Sequence, residues 1–293
     1  MPGVELVAVV DTAPGRAAEV ASQYGGEALD DWRGVRGRVD AVMVAVPTES
    51  HAEIALGCIE AGAAVLVEKP IATSVADATR IVEAAARHGV VCAAGHSERF
   101  NPAVVAAFPH IADPRFVEVH RLGAFPGRGL DVDVIFDLMI HDLDLLLAAV
   151  GSDVVDIEAV GVNVLTPKTD IANARLRFAS GCIANLTASR ISRDRVRKAR
   201  FFQRASYVSI DFAAREVEVY RLVAGEGRPS IEGGRLTVTD DEPLRRELAD
   251  FVHAVREGRA PAVTAAAGRD ALALATRVAD AMRATGAAGA GQP

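Results

Sequence analysis

Within the apolar stretch VDVIFDLMIHDLDLLLAAV, an acid and an imidazole stand four residues apart, Asp137 and His141. On a helix that spacing puts both on one face. A carboxylate there raises the proton affinity of the imidazole and fixes its orientation, which suits a general base acting on a hydroxyl. Asp133 and Asp144 fall on the same stripe, and a hydrogen-bonded polar stripe without catalytic duty is the competing reading. Lys69 is a second candidate, because only Lys69, Lys168 and Lys198 are lysine among 32 basic residues. A third candidate is the basic run of Arg190, Arg193, Arg195, Arg197, Lys198, Arg200 and Arg204, which holds one acid, Asp194. Arginine forks suit phosphate oxygens, so Arg193 and Arg197 point to a diphosphate-bearing substrate. An exposed strand edge protected by charge explains the run equally well. With no third His or Cys at ligand spacing, no metal site is expected.

The elements that must position these groups are legible as alternating strands and helices. VELVAVVD, Val39–Val46, Ala63–Val67 and Val90–Ala94 read as strands, separated by helical segments that include 50–61 and 74–88. Such alternation predicts a parallel sheet with ligands at the carboxyl ends of its strands. Those ends carry Asp11, then Pro47 and Thr48, then Glu68 and Lys69, then Gly95 and His96. Asp11 suits the hydroxyls of an adenosine ribose and so favours NAD over NADP; capping the following helix is the alternative role. The glycine-rich G-x-G-x-x-G turn that belongs upstream of such an acid is not found, since Gly127/Gly129 and Gly225/Gly227 do not link a strand to a helix. The reading is a Rossmann-like sheet whose first strand and glycine-rich loop, about 25 to 30 residues, are missing from the sequence. A start codon called too late accounts for this better than a real truncation.

The second half continues with a strand at Phe116–Leu122 and a long buried helix at 132–150. Period-two alternation from Val154 to Leu222 predicts an antiparallel sheet, and helices at 244–256 and 268–285 follow. The expected division is 1–97 for a dinucleotide-binding domain, 98–285 for an α+β domain with an open-faced sheet, and 286–293 for a flexible tail. The net charge of −7 argues against nucleic-acid or anionic-membrane binding. No apolar run reaches the roughly 18 to 20 residues of a membrane span. Three scattered cysteines, Cys58, Cys92 and Cys182, without CxxC spacing fit a reducing cytoplasm.

VEKPIA after an apolar strand, followed some distance on by Asp137-x-x-x-His141 ahead of a β-rich segment, resembles the Gfo/Idh/MocA oxidoreductase family. The resemblance spans Val4 to about Thr285. It implies a Rossmann domain, a substrate domain with an open sheet face, a nicotinamide cofactor, sugar or cyclitol substrates and a homo-oligomer, dimer or tetramer. It also implies that Lys69 touches the substrate hydroxyl and the nicotinamide ribose, and that Asp137 orients His141 as the base. Asp11, Pro47, Thr48, His51, Glu68, Lys69 and Pro70 are then assigned to NAD. GHSERFNPAV, FDLMIHDLDLLL and the basic run look like the subgroup that oxidises C3 of UDP-N-acetylglucosamine in lipid A biosynthesis. On that reading His96, Arg99, Asn101, Arg193 and Arg197 bind the substrate. The competing functional reading is a catalytically silent family member that binds a ligand or partner.

Overall fold

The structure is a computed structural model that describes residues 1, 3–125, 132–224 and 229–289. Gly127, Gly129, Gly225 and Gly227 lie outside the described residues. The chain divides into two compact units, Met1–Gly95 with Glu247–Arg269, and His96–Arg246 with Asp270–Pro293. A contiguous division at 97/98 does not include this return of Glu247–Arg269 to the first unit.

In the first unit, β1 (Ala8–Val10) and β2 (Glu27–Leu29) pair in parallel and are joined by α1 (Arg16–Tyr24). A second parallel sheet holds β3 (Ala41–Val44), β4 (Ala64–Glu68) and β5 (Cys92–Gly95), with α2 (His51–Glu60) and α3 (Val75–His88) as crossovers. Helical crossovers of this length are what parallel strands require. Ala64, Val65, Leu66 and Val67 are all buried, as a strand covered on both faces must be. The limits of α3 follow from capping: the Ser74 hydroxyl accepts the Asp77 N–H at 3.0 Å, and Gly89 closes the helix in the left-handed region at φ 65°. The sequence reading does not find β2, whose Glu-Ala-Leu is three residues long and lacks a β-branched side chain. Among the described residues no ladder joins β1 to β3. Between them runs a cavity of about 1870 Å³, lined by Val4–Asp11 and Val39–Pro47 among others. Its exposed apolar side chains include Val4, Leu6, Met43 and Val46.

The second unit opens with α4 (Pro102–Ala107) and β6 (Pro114–Leu122) and continues through one π-helical turn, Ile135–Met139, into α5 (Ile140–Val150). Then come β7 (Val154–Val162), β8 (Ile171–Phe178), β9 (Ile183–Ser189), β10 (Val196–Gln203), β11 (Ser206–Asp211), β12 (Glu216–Val223) and β13 (Ser230–Arg235). The eight strands form one sheet ordered β13-β12-β11-β10-β6-β9-β8-β7. β8 shows how the sequence builds it: Ala172, Ala174, Leu176 and Phe178 are buried, while Asn173, Arg175 and Arg177 between them are exposed. These inward residues pack with Met139, Ile140, Leu143 and Leu146 of the helix and with Phe201 of β10.

One expectation needs correction here, because the sheet is mixed rather than antiparallel. β6 lies parallel to β9 and antiparallel to β10. The chain leaves β6 through the helix to reach β7 at the sheet edge, and the antiparallel pairs β7/β8 and β8/β9 then bring β9 back beside β6 in the parallel sense. The chain ends in α6 (Pro243–Glu257) and α7 (Ala265–Gly289), so the segment from 286, read as a tail, is still helical to Gly289.

Candidate functional site

In the first unit, Asp11 follows β1 directly. Its Oδ1 accepts the Ala13 N–H at 2.8 Å, and the Arg16 Nε approaches Oδ2 at 3.4 Å. The acid therefore does turn the chain into α1, and its side chain, 31% exposed, still faces the cavity. Pro47 lines the same cavity, whereas Thr48, Glu68, Lys69 and Pro70 do not. For a dinucleotide, a partly exposed carboxylate at a strand end on a cavity wall fits the adenosine ribose.

Glu68 and Lys69 stand at the end of β4, half-buried, and the Lys69–Pro70 peptide is cis. The Glu68 Oε2 accepts the Lys69 N–H at 3.2 Å. Gly95, at the end of β5, is required beside it: a Cβ there would lie 2.9 Å from the Glu68 Cα and 3.0 Å from Oε2. His51, assigned from the sequence to the cofactor, is 1% exposed. Its Nδ1 lies 2.8 Å from the Pro70 carbonyl and its Nε2 2.8 Å from the Val46 carbonyl. With both nitrogens on main-chain carbonyls, His51 ties the chain after β3 to the turn after β4.

In the second unit, Asp137 sits in the π-turn and His141 in the first turn of α5, both half-buried. The Ile140 N–H donates to the Ile135 carbonyl, an i to i+5 bond that inserts a residue into the helix and changes its phase; such turns recur at functional sites. The predicted stripe of four therefore does not hold together. Asp133 caps the Thr169 N–H at 2.8 Å, and Asp144 is 1% exposed beneath Arg99. His96, 1% exposed, meets His141 edge to face, with ring centroids 6.1 Å apart and planes at 86°.

Two residues assigned to substrate have partners within the fold. The Arg99 Nε and Nη2 donate to Asp144 at 2.6 and 2.9 Å, a bidentate pair. Asn101, 4% exposed, caps α4 through the Ala103 N–H and donates to Glu98 and to the Phe212 carbonyl. The basic run divides in the same way. Arg190 is buried on Asp170, Lys198 pairs with Asp211 and Arg200 with Glu118. Among the described residues Arg193, Arg195 and Arg197 have no ion-pair partner; Arg193 and Arg195 are exposed and Arg197 is half-buried. Arg197 lies in register with Arg121 across β10 and β6. Burial, then the Arg121 charge, hold its guanidinium below the usual arginine value.

The sequence reading missed the ion pairs that frame this region. The Arg121 guanidinium is 3% exposed and donates to both oxygens of Asp142, at 2.7 and 2.8 Å, and to Glu98 at 2.9 Å. The one available signal was charge at Asp142 and Asp144 inside an apolar helix. Their partners lie 21 and 45 residues away, beyond any local spacing rule. Among the described residues no group of three His, Cys, Asp or Glu side chains is placed to hold a metal ion, and no helix is long and apolar enough to cross a membrane.

Comparison with known proteins places this geometry. Residues 1–96 match the model for the Gfo/Idh/MocA oxidoreductase family, NAD-binding Rossmann fold, and residues 112–205 match the C-terminal domain of that family. The chain is 36% identical over 280 residues to the UDP-N-acetylglucosamine 3-dehydrogenase of Acidithiobacillus ferrooxidans, covering 94% of this chain and 88% of that protein. The solved structure of an enzyme of that name and organism superposes with a TM-score of 0.89, covering 95% of this chain and 90% of that one. The scyllo-inositol 2-dehydrogenase (NAD(+)) of Bacillus subtilis is 28% identical over 210 residues, 66% of this chain and 61% of that protein. A levoglucosan dehydrogenase solved with NADH and levoglucosan has a TM-score of 0.86 at 19% identity, covering 95% of this chain and 89% of that one, a likeness of fold.

Proposed function

This chain belongs to the Gfo/Idh/MocA family of NAD-binding oxidoreductases, and from that membership we propose that it oxidises C3 of UDP-N-acetylglucosamine to the 3-keto nucleotide sugar. The observation that carries the substrate is the near full-length likeness to the Acidithiobacillus ferrooxidans enzyme. Arg197 supports it, as a half-buried guanidinium without an ion-pair partner among the described residues. Such a group suits an incoming diphosphate.

The cofactor is NAD, and when bound it supplies the hydride acceptor. Asp11 holds the adenosine ribose hydroxyls, with Pro47 on the wall of the same cavity and Thr48 next in the chain. Lys69 donates a hydrogen bond to the substrate hydroxyl oxygen, which stabilises the charge that builds there as the proton leaves. His141 accepts that proton on a ring nitrogen, and Asp137 favours the resulting imidazolium. His96, packed edge-on against His141, restricts the ring to one orientation. Arg193 and Arg197 bind the diphosphate. With three buried thiols, among which burial pushes Cys92 up to about 12 and Cys182 up to about 11, the protein suits a reducing cytoplasm.

A homo-oligomer is part of the same reading. Phe116, Phe202, Tyr207 and Tyr220 stack across four adjacent strands of the eight-stranded sheet, with successive centroids 5.7, 5.1 and 6.4 Å apart. An aromatic ladder of this kind suits burial against a second copy.

Arg197→Ala tests the substrate assignment. Losing a charged hydrogen bond to the diphosphate costs about 1.5 to 3 kcal/mol, so KM for UDP-N-acetylglucosamine rises about 10- to 100-fold. The increase is confined to nucleotide sugars and shrinks at high salt. An equal change with free N-acetylglucosamine in steady-state kinetics contradicts the assignment.

A further inference from the structure

The π-turn that carries Asp137 is fastened to the sheet at its N-terminal end. The Asp133 Oδ1 accepts the Thr169 N–H at 2.8 Å, and the Thr169 carbonyl accepts the Val134 N–H at 3.0 Å, so the two segments hold each other by a reciprocal pair of bonds. One residue earlier, the Val132 carbonyl accepts from the Arg190 Nη1 at 2.7 Å. The Asp133 carbonyl then takes both the Phe136 N–H, at 3.0 Å, and the Asp137 N–H, at 3.2 Å. Its main chain therefore sets where the turn begins, and its side chain sets where that start lies. The anchor is itself fixed. Thr169 is 5% exposed and stands just ahead of β8. Next to it, the fully buried Asp170 donates its N–H to the Val162 carbonyl at the end of β7 and accepts the Arg190 N–H on its own carbonyl, both at 3.0 Å. A π-turn is a single inserted residue, and its relaxation to ordinary helical bonding would rotate all that follows by about 100° around the axis. His141 follows the turn directly.

We propose that Asp133 is a positioning residue for the reaction: by its side-chain bond to the Thr169 N–H it locks the start of the π-turn, and with it the direction in which Asp137 and His141 are presented. The proposal rests on the reading of Asp137 and His141 as the catalytic pair. What Asp133 supplies is one acceptor oxygen at a fixed place, which a side-chain amide supplies as well as a carboxylate does. Its charge is not required. The path from sheet to base is a chain of hydrogen bonds, from β7 and β8 through Thr169 to Asp133 and on to the Asp137 N–H.

Steady-state kinetics and amide hydrogen exchange on the full-length protein test this with two variants. In Asp133→Ala, kcat falls about 10- to 100-fold, as a misplaced catalytic pair requires, while KM for UDP-N-acetylglucosamine stays near the wild-type value. The N–H groups of Val134, Phe136 and Asp137 exchange faster in that variant. In Asp133→Asn, whose amide oxygen still accepts the Thr169 N–H, kcat and exchange both return to near wild type. On top of His141→Ala, Asp133→Ala lowers kcat no further, because it acts through that group. Wild-type kcat in Asp133→Ala overturns the proposal even if the variant is less stable, since its role is then structural only. An Asp133→Asn variant as impaired as Asp133→Ala also overturns it, since charge and not the hydrogen bond is then at work. Should Asp133→Ala fail to fold, Asp133→Glu decides: it keeps the charge but displaces the acceptor by one methylene, so wild-type kcat there contradicts the proposal and a loss supports it. If His141→Ala keeps wild-type kcat, the reading of the catalytic pair fails, and the exchange rates of Val134, Phe136 and Asp137 still decide whether Asp133 locks the turn.

Discussion

His141→Ala lowers kcat by about 10²- to 10⁴-fold, the usual range for removing a general base, while the Kd of NAD changes little. The reasons lie in the helix. Of the acids along the apolar segment, Asp142 and Asp144 are drawn into buried pairs with Arg121 and Arg99, and Asp133 is taken up by a main-chain N–H. Asp137, in the π-turn, and His141, in the first turn of α5, are both half-buried. Lys69→Ala has a loss of the same order, because nothing then stabilises the departing charge on the hydroxyl oxygen. Lys69→Arg does not restore activity, since a planar fork cannot replace a compact ammonium. Single-turnover kinetics with equilibrium NAD binding check both. Variants that keep wild-type kcat contradict the assigned roles.

The largest structural loss is expected at Asp170, which is fully buried. Its Oδ2 accepts the N–H groups of Val164, Leu165 and Thr166, and its Oδ1 accepts from the Thr166 hydroxyl and the Arg190 Nε. Burial alone would raise this carboxyl. The main-chain donors of 165 and 166, the Thr166 hydroxyl and Arg190 together outweigh burial and hold it well below the usual carboxylate value. Asp170→Ala leaves the Arg190 guanidinium, 1% exposed, without its carboxylate and costs about 3 to 5 kcal/mol by urea unfolding. In the wild type, the contribution of the depressed carboxyl is complete above its ordinary value of 3.8 and is lost as the pH falls below it. The variant should lack that part of the acid dependence. A cost under about 1 kcal/mol would mean that water replaces the network.

What could be read from the sequence was whatever local pattern decides. Strand alternation with helices fixed the parallel units, Ser74 and Gly89 bounded α3, and the VEKPIA and Asp137-x-x-x-His141 motifs led to the family. Three kinds of fact were hidden. The parallel pairing of β6 with β9 depends on a crossover whose destination no local signal states. The π-turn before His141 is a one-residue change of phase inside an apolar helix. The third is the duty of polar residues with distant partners. Arg99, Asn101 and His51 carry functional side chains in suggestive places, yet each is held by atoms far away in the chain, at Asp144, Phe212 and Pro70. Glu247 is the converse case, a plain helical glutamate by sequence whose burial only the fold reveals.

The central claim is most directly tested by following NADH absorbance when the protein is given NAD⁺ and UDP-N-acetylglucosamine. The prediction is a substrate-dependent rise in NADH, a 3-keto nucleotide sugar as product, and loss of both in Lys69→Ala and His141→Ala. No NADH with UDP-N-acetylglucosamine, or formation that persists in the Lys69/His141 double variant, would contradict it.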